Sequence, residues 1–299
     1  RLEAGRSMTF RMKKREKTAS DFLIGMGLSS ARRAVAGMQR CPALILEARV
    51  HKLSAPPPLR LSPQGFDLIA EVKRRSPAAG ALAGKALRIT EEACSYARGG
   101  AAALSVLTEP EAFDGDLSHL QEVAAAVAVP SMRKDFLVSP YQVLEARAAG
   151  ASGVLLIAAM LNDAQLQGML RYAHRLGLFA LVEIFAADDL ARSVSAIRAA
   201  GPAIVDGRCR SLLGVNCRDL RSLKVDFGRF AELAPRLPAD IPRVAESGVE
   251  SPGQAARVAG LGYGLALVGT VLMRAPDPAA QVASLLAAGR ASACEARVR

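Results

Sequence analysis

Six stretches of this chain carry side chains that could do acid–base chemistry on an anion. They are Glu71-Val72-Lys73, Arg133-Lys134-Asp135-Phe136, Glu183, Asn216-Cys217-Arg218-Asp219, Glu246-Ser247-Gly248 and Gly269-Thr270, and each closes a short apolar run. Lys73, Lys134 and Arg218 offer three cations, a density that suits a substrate with more charge than one phosphate. Glu71, Glu183 and Glu246 balance them and offer acid–base groups, although any one could equally be an ion-pair partner. A lysine among other cations has its pKa lowered, which suits a general acid near neutral pH. Ser247-Gly248 and Gly269-Thr270 suit phosphate, because glycine lets backbone N–H groups approach its oxygens and a following helix N-terminus adds its dipole.

Other chemistries fit less well. The three histidines, His51, His119 and His174, stand apart from these stretches and read as packing or surface residues. Cys217 has no histidine placed to activate it and reads as a packed thiol. The five cysteines are scattered, with no C-x-x-C pair, which argues against a disulfide framework and against zinc. Neither a metal nor a cofactor is expected.

The elements that must position these groups alternate from residue 66 onward. Strand-like runs fall at Asp67–Val72, Ala102–Leu107, Pro130–Arg133, Gly153–Ile157, Phe179–Ile184, Leu212–Val215, Arg243–Ala245 and Leu265–Val268. Most are continuously apolar, as parallel strands covered on both faces are. Between them lie alanine-rich helical stretches. One follows Ser139-Pro140, an N-cap with proline at the first helical position, and stops at Gly150. Eight such β/α repeats predict an α/β fold, a (β/α)8 TIM barrel over 66–290, with every chemical stretch at the carboxyl ends of its strands. The Ser-Gly and Gly-Thr pairs then fall after strands seven and eight, the usual phosphate position in such barrels.

Two segments precede the barrel. Residues 21–65 form an N-terminal extension, helical at first and then extended through Ala55-Pro56-Pro57-Pro58, packed over one end of the barrel. Residues 1–20 form a disordered basic arm, with Arg1, Arg6, Arg11, Lys13, Lys14, Arg15 and Lys17 against Glu3 and Glu16. This arm accounts for much of the net charge of +11, but only Phe10 is interleaved for base stacking, so nucleic acid is not an expected partner. The apolar run Phe22–Leu28 imitates a signal peptide, yet Asp21 interrupts it and no small-residue cleavage site follows. No stretch approaches the ~20 apolar residues of a membrane span. The expectation is a cytoplasmic protein, monomeric or weakly homo-oligomeric, that takes a small anionic phosphorylated substrate.

The motifs also carry a resemblance. Ile69-Ala70-Glu71-Val72-Lys73-Arg74-Arg75-Ser76-Pro77, Leu104–Thr108 with Phe113-Asp114-Gly115, Arg133–Phe136 with Pro140-Tyr141-Gln142, Leu181-Val182-Glu183, Gly214–Leu220, Glu246–Gly248 and Val268–Met273 occur in one order over about residues 66–275. This ordered set resembles the indole-3-glycerol-phosphate synthases. The resemblance implies a carboxy-lyase of tryptophan biosynthesis that cyclises, decarboxylates and dehydrates 1-(2-carboxyphenylamino)-1-deoxyribulose 5-phosphate. It implies Lys134 as the general acid on the carbonyl, Lys73 on the substrate anion, Glu183 in proton transfer during dehydration, and Glu71 and Asn216 on the sugar hydroxyl. Which lysine acts in which step is left open. Arg218, Glu246 and Ser247 would line the site, Ser76, Gly248, Gly269 and Thr270 would hold phosphate, and Phe113, Pro77 and Phe136 would seat the aromatic ring. Ala78, Phe185, Thr270 and a longer Gly201–Ser211 stretch depart from the family pattern, and residues 20–60 match its N-terminal helix poorly. These departures bear on loop behaviour and substrate fit rather than on the reaction class. A phosphoribosylanthranilate isomerase, which would use a Cys/Asp pair, fits less well because strand one offers Glu and Lys.

Overall fold

The computed structural model describes residues 19–76, 80–81, 88–218 and 224–298. The expected arm lies outside them up to residue 18. Eight parallel strands close into a barrel: β1 (Asp67–Val72), β2 (Ala103–Leu107), β3 (Ser131–Lys134), β4 (Gly153–Ile157), β5 (Phe179–Ile184), β6 (Ser211–Asn216), β7 (Arg243–Glu246) and β8 (Leu265–Val268). Each pairs with its sequence neighbours, and β8 returns to β1 with Leu265 opposite Asp67 and Val268 opposite Ala70. The strands lie within a residue of the runs read from sequence, because both faces of each are buried.

Strand parity sorts the side chains. Leu68, Ala70 and Val72 point outward into a core shared with the helices, while Ile69, Met132, Leu155, Phe179, Leu181, Val244, Leu265 and Leu267 fill the barrel. In a strand, residues two apart share a face, so Glu71 and Lys73 follow Ile69 inward, Lys134 follows Met132, and Glu183 follows Leu181. By the same count Asn216 follows Leu212, Glu246 follows Val244 and Gly269 follows Leu267. The barrel's lower and middle inner layers are therefore mainly apolar, with Asp67 and Ser105 the polar exceptions by the same count, and its last layer, at the carboxyl ends, is charged.

Helices α1 (Ala19–Arg40) and α2 (Ala43–Val50) precede the barrel, so α1 starts inside the segment expected to be a disordered arm. Helix α1 crosses the carboxyl end of the barrel: its Arg33 forms a bidentate pair with Asp135, just past β3, at 2.8 and 2.9 Å. The chain then runs down the side past α2 to the opposite end, where Leu59 is buried in the barrel interior and its carbonyl accepts the N–H of Cys209 at 2.8 Å. The extension thus touches both ends of the barrel rather than one.

The outer helices include α3 (Ile89–Arg98), α4 (Pro110–Phe113), α5 (Leu117–Ala126), α6 (Pro140–Ala148), α7 (Asp163–Arg175), α8 (Ala187–Ala199), α9 (Gly228–Leu233), α10 (Pro252–Gly260), α11 (Thr270–Arg274) and α12 (Pro278–Val298). Ser139 caps α6 with Pro140 at its first position, as its sequence predicts. Helix α12 continues beyond 290, the expected end of the barrel, and covers the amino end of β1: Arg290 donates to the carbonyl of Phe66 and reaches Asp67. The longer 201–211 stretch folds into a hairpin, Ile204–Val205 against Arg208–Cys209, ahead of β6 and therefore at the end away from the charged layer. Among the described residues no helix is long and apolar enough to cross a membrane.

Candidate active site

The charged layer opens into a cavity at the carboxyl ends of the strands. Lys73 Nζ donates to Glu71 Oε1 at 2.5 Å, and Lys134 Nζ lies 3.9 Å from Glu71 Oε2, so one carboxylate sits between two lysines from adjacent regions of the wall. Across the cavity, Asn216 Nδ2 donates to Glu183 Oε1 at 3.0 Å. The Asn216 amide oxygen accepts from the backbone N–H of Arg218 at 2.9 Å and from the Ser247 hydroxyl at 3.0 Å, which fixes its orientation. Ser247 and Gly248 both have left-handed backbones, with φ of 67° and 79°. For serine this conformation is strained, and at 248 a Cβ would also come within 2.6 Å of Val225 Cγ1.

Burial by itself would lower the pKa of Lys134, but the carboxylates of Glu71, Glu183 and Glu246 outweigh it and hold the pKa above the ordinary lysine value. This corrects the expectation of a lowered lysine pKa. The cations foreseen around Lys134 are present, yet the carboxylates are nearer or more numerous in effect. Burial would raise Glu71, and Lys73, then Lys134, bring it below its ordinary value, so it stays ionised. Glu246 behaves oppositely: burial first, then the neighbouring Glu183 carboxylate, push it well above the carboxyl range against the pull of Lys134. Among the described residues no group donates to either Glu246 oxygen. Burial and the neighbouring charge thus both favour the protonated form of Glu246 beside Glu183.

Neighbouring groups set the walls. Phe113 and Phe136 are tilted against each other with centroids 6.3 Å apart, and Phe22 of α1 meets Phe136 edge-on at 6.0 Å. Phe113 is held by Glu109, whose buried carboxylate accepts the backbone N–H groups of Glu111, Ala112 and Phe113 as the N-cap of α4. Asp135, next to the lysine, also accepts from Thr108 at 2.9 Å and Arg133 at 3.1 Å. Burial opposes that charge, but Arg33 and Arg133 hold Asp135 down at about 2.

Of the residues singled out from sequence, Glu71, Lys73, Lys134, Glu183, Asn216, Arg218, Glu246, Ser247, Gly248, Gly269, Thr270, Phe113 and Phe136 all line this cavity. Ser76 lies on a two-residue strand opposite Gly80, and Pro77 and Ala78 lie outside the described residues. Sequence reading missed Phe22, Leu107, Leu155 and Ile157. The last three sit at inward positions of β2 and β4, which strand parity could have found; Phe22 could not be placed before α1 was seen to cross the barrel. Phe185 lies under the Arg229 guanidinium, 4.5 Å from its ring centroid, outside the cavity lining. Cys217 faces outward, and burial pushes its thiol up to about 12, consistent with a packed thiol. His174 is more than packing: its Nε2 meets the Ser211 hydroxyl at 3.1 Å and the Arg210 carbonyl at 3.0 Å, below the barrel core.

The sequence model of one family, indole-3-glycerol phosphate synthase, matches residues 30–285. The chain is 44% identical over 252 residues to the indole-3-glycerol phosphate synthase of Mycobacterium avium, covering 83% of this chain and 88% of that protein. It is 41% identical over 271 residues to the Mycobacterium leprae protein of the same name, covering 89% and 94%. With that of Micrococcus luteus it shares 48% over 225 residues, covering 74% and 78%. Among solved structures, a 3-hexulose-6-phosphate synthase superposes with a TM-score of 0.57 at 20% identity, covering 75% of this chain and 99% of that one. A tryptophan synthase from M. tuberculosis superposes at 0.53 and 17%, covering 76% and 94%. At those identities the two structures share the barrel fold alone.

Proposed function

The chain belongs to the indole-3-glycerol phosphate synthase family, and from that premise we propose a residue-level account of how its cavity performs the reaction. The observation that carries the account is the lysine–glutamate–lysine line of Lys73, Glu71 and Lys134, facing Asn216–Glu183 across one cavity with an aromatic wall. The substrate, 1-(2-carboxyphenylamino)-1-deoxyribulose 5-phosphate, has three parts for three regions. Its phosphate meets the backbone of Ser247–Gly248 and Gly269–Thr270, with Ser76 at the rim. Its ring lies against Phe113 and Phe136, where the family pattern also places Pro77, and Phe22 extends that wall. Its benzoate carboxylate falls within reach of Lys73 and Arg218.

Lys134 is protonated at neutral pH because the carboxylates around it, Glu71 first, hold its proton, so it approaches the carbonyl as an acid. The ring carbon bearing the carboxylate attacks the carbonyl carbon as Lys134 gives its proton to the oxygen. The C–CO2 bond then breaks, and its electron pair restores the aromatic ring. The new hydroxyl leaves as water on receiving a proton from one of the two lysines, and a proton is lost from the adjacent carbon to Glu183, whose oxygen is aimed by Asn216. Glu71 holds the two lysines apart and stays ionised, ready to contact the sugar hydroxyl with Asn216. Glu246, whose pKa burial and Glu183 push up, lies at the base beside Glu183. These groups supply every proton transfer, which makes the enzyme a carboxy-lyase with no resident cofactor. The same reading carries a cytoplasmic protein, monomeric or weakly self-associating, with 66–290 as the catalytic unit.

The test is indole fluorescence on adding that substrate to the purified protein. Lys134→Ala is expected to lower kcat by roughly 10²-fold or more, the ordinary loss for a general acid. Turnover near the wild-type rate in this variant would remove Lys134 from the acid role.

A further inference from the structure

Gly214 belongs to the inner wall of β6, where it pairs with Glu183 of β5 on one side and Val244 of β7 on the other. A Cβ at this position would lie 1.9 Å from Glu246 Oε1 and 3.0 Å from Glu246 Cδ, with Leu181 Cδ1 also at 3.0 Å. Leu181 presents the end of a flexible side chain and could give way. An oxygen at 1.9 Å could not share the space. The Glu246 carboxyl therefore occupies the volume that a side chain at 214 would fill. Register explains how it gets there: Glu246 is opposite Asn216, so reaching Gly214 takes its carboxyl one inward layer back from the cavity floor.

Backbone conformation gives no competing reason for the glycine, since Gly214 is not among the glycines with positive φ. The device is repeated at Gly269, also without a positive φ, where a Cβ would lie 2.6 Å from Glu71 Oε1 and 3.0 Å from Lys73 Nζ. Two of the three inward carboxylates thus rest against glycine.

We propose that Gly214 is a positioning residue whose missing side chain seats the Glu246 carboxyl in the barrel wall, beside Glu183 and below the space the substrate must enter. A methyl group at 214 displaces the carboxyl upward, toward Lys134. There it competes with the substrate carbonyl for the lysine and becomes an anion in a cavity that binds anions. Glycine at 214 is in this sense a determinant of the active-site charge pattern, although it touches no reacting atom. The inference rests on the reading that Glu246 belongs to the reaction site.

The experiment is a double-mutant cycle of Gly214→Ala and Glu246→Ala, with kcat, KM, the pH profile of kcat and thermal stability measured for each variant. Gly214→Ala is expected to lose roughly 10²-fold in kcat/KM, a loss typical of a misplaced site group, and to shift its pH profile. In the Glu246→Ala background the same change should alter kcat/KM by no more than about twofold, because the oxygen it strikes is gone. If Gly214→Ala alone does not fold, the double variant should fold; failure of both to fold overturns the inference. So does wild-type turnover in Gly214→Ala, or an equal loss with and without Glu246, when Glu246→Ala is itself impaired. Wild-type turnover in Glu246→Ala would instead remove Glu246 from the site, and this inference with it.

Discussion

Lys134 illustrates how the sign of a pKa shift is decided by counting every charge around a group rather than only the like charges. Burial and Arg218 lower its pKa, and Glu71, Glu183 and Glu246 together overcome them. The working acid must carry its proton, so activity should fall on the alkaline side as that proton is lost. Replacing Glu71 by Gln removes a carboxylate that stabilises the ammonium. The alkaline limb of the kcat/KM profile should then move to lower pH, along with a fall in kcat from the lost contact to Lys73. A pH–rate profile of Glu71→Gln with its alkaline limb unmoved would show that Glu71 does not hold the Lys134 proton. Gly214 and Glu246 belong to the same scale: the missing side chain at 214 leaves the space that the Glu246 carboxyl fills.

Helices α1 and α3 show the same logic carried by whole elements. Helix α1 is tied to the barrel by the buried Gln142–Ser30 hydrogen bond, by Ser29 to Glu111, and by Arg33 to Asp135, whose side chain is fully buried. Truncation by Arg33→Ala leaves Asp135 with Arg133 and Thr108 but without its bidentate partner. The expected loss is on the order of 2 kcal/mol, two charge-assisted hydrogen bonds less what water restores, read as a lower denaturation midpoint. Activity should fall as well, because Phe22 leaves the aromatic wall with the helix and Asp135 adjoins Lys134. Unchanged stability would mean that Arg33 adds nothing to what the apolar face of α1 and its Ser29 and Ser30 contacts already provide. In α3, Glu92 is a buried carboxyl with no partner for its charge among the described residues, and burial raises its pKa to about 7. Its folded-state pKa exceeds the unfolded value of 4.5, so the folded state favours the neutral acid. That contribution is fully present below pH 4.5 and is lost as pH rises through about 7. Glu92→Gln should therefore raise Tm at pH 8 and leave it nearly unchanged at pH 4, a difference that thermal melts at the two pH values would reveal.

At the scale of the whole molecule, the two ends of the barrel do different work. The carboxyl end carries the charged layer and α1; the amino end is closed by α12, the 204–209 hairpin and Leu59. Gly289 of α12 lies directly on the buried ring of Phe66, where a Cβ would meet Phe66 Cδ1 at 2.1 Å. Gly289→Ala should destabilise the protein by about 1–3 kcal/mol through overpacking, yet leave kcat unchanged at temperatures where the protein is folded. A large kcat effect would show that the ends are coupled. The same separation removes the Gly201–Ser211 stretch from consideration in substrate fit, since its hairpin precedes β6 rather than following it.

The chain by itself determined the eight repeats, their order and most of the cavity lining. Continuous apolar runs mark strands covered on both faces, and a period of two carries an inward residue such as Ile69 to Glu71 and Lys73. These are local properties, fixed by neighbours along the chain. Tertiary structure alone decided what depends on residues distant in sequence. It brought Phe22 and Arg33 against Phe136 and Asp135, more than a hundred residues later, and it gathered carboxylates around Lys134 so that its pKa rises. It also turned Gly214 from a gap in a strand pattern into the seat of Glu246. Charge balance and close packing are sums over space, and the order of residues along a strand does not contain them.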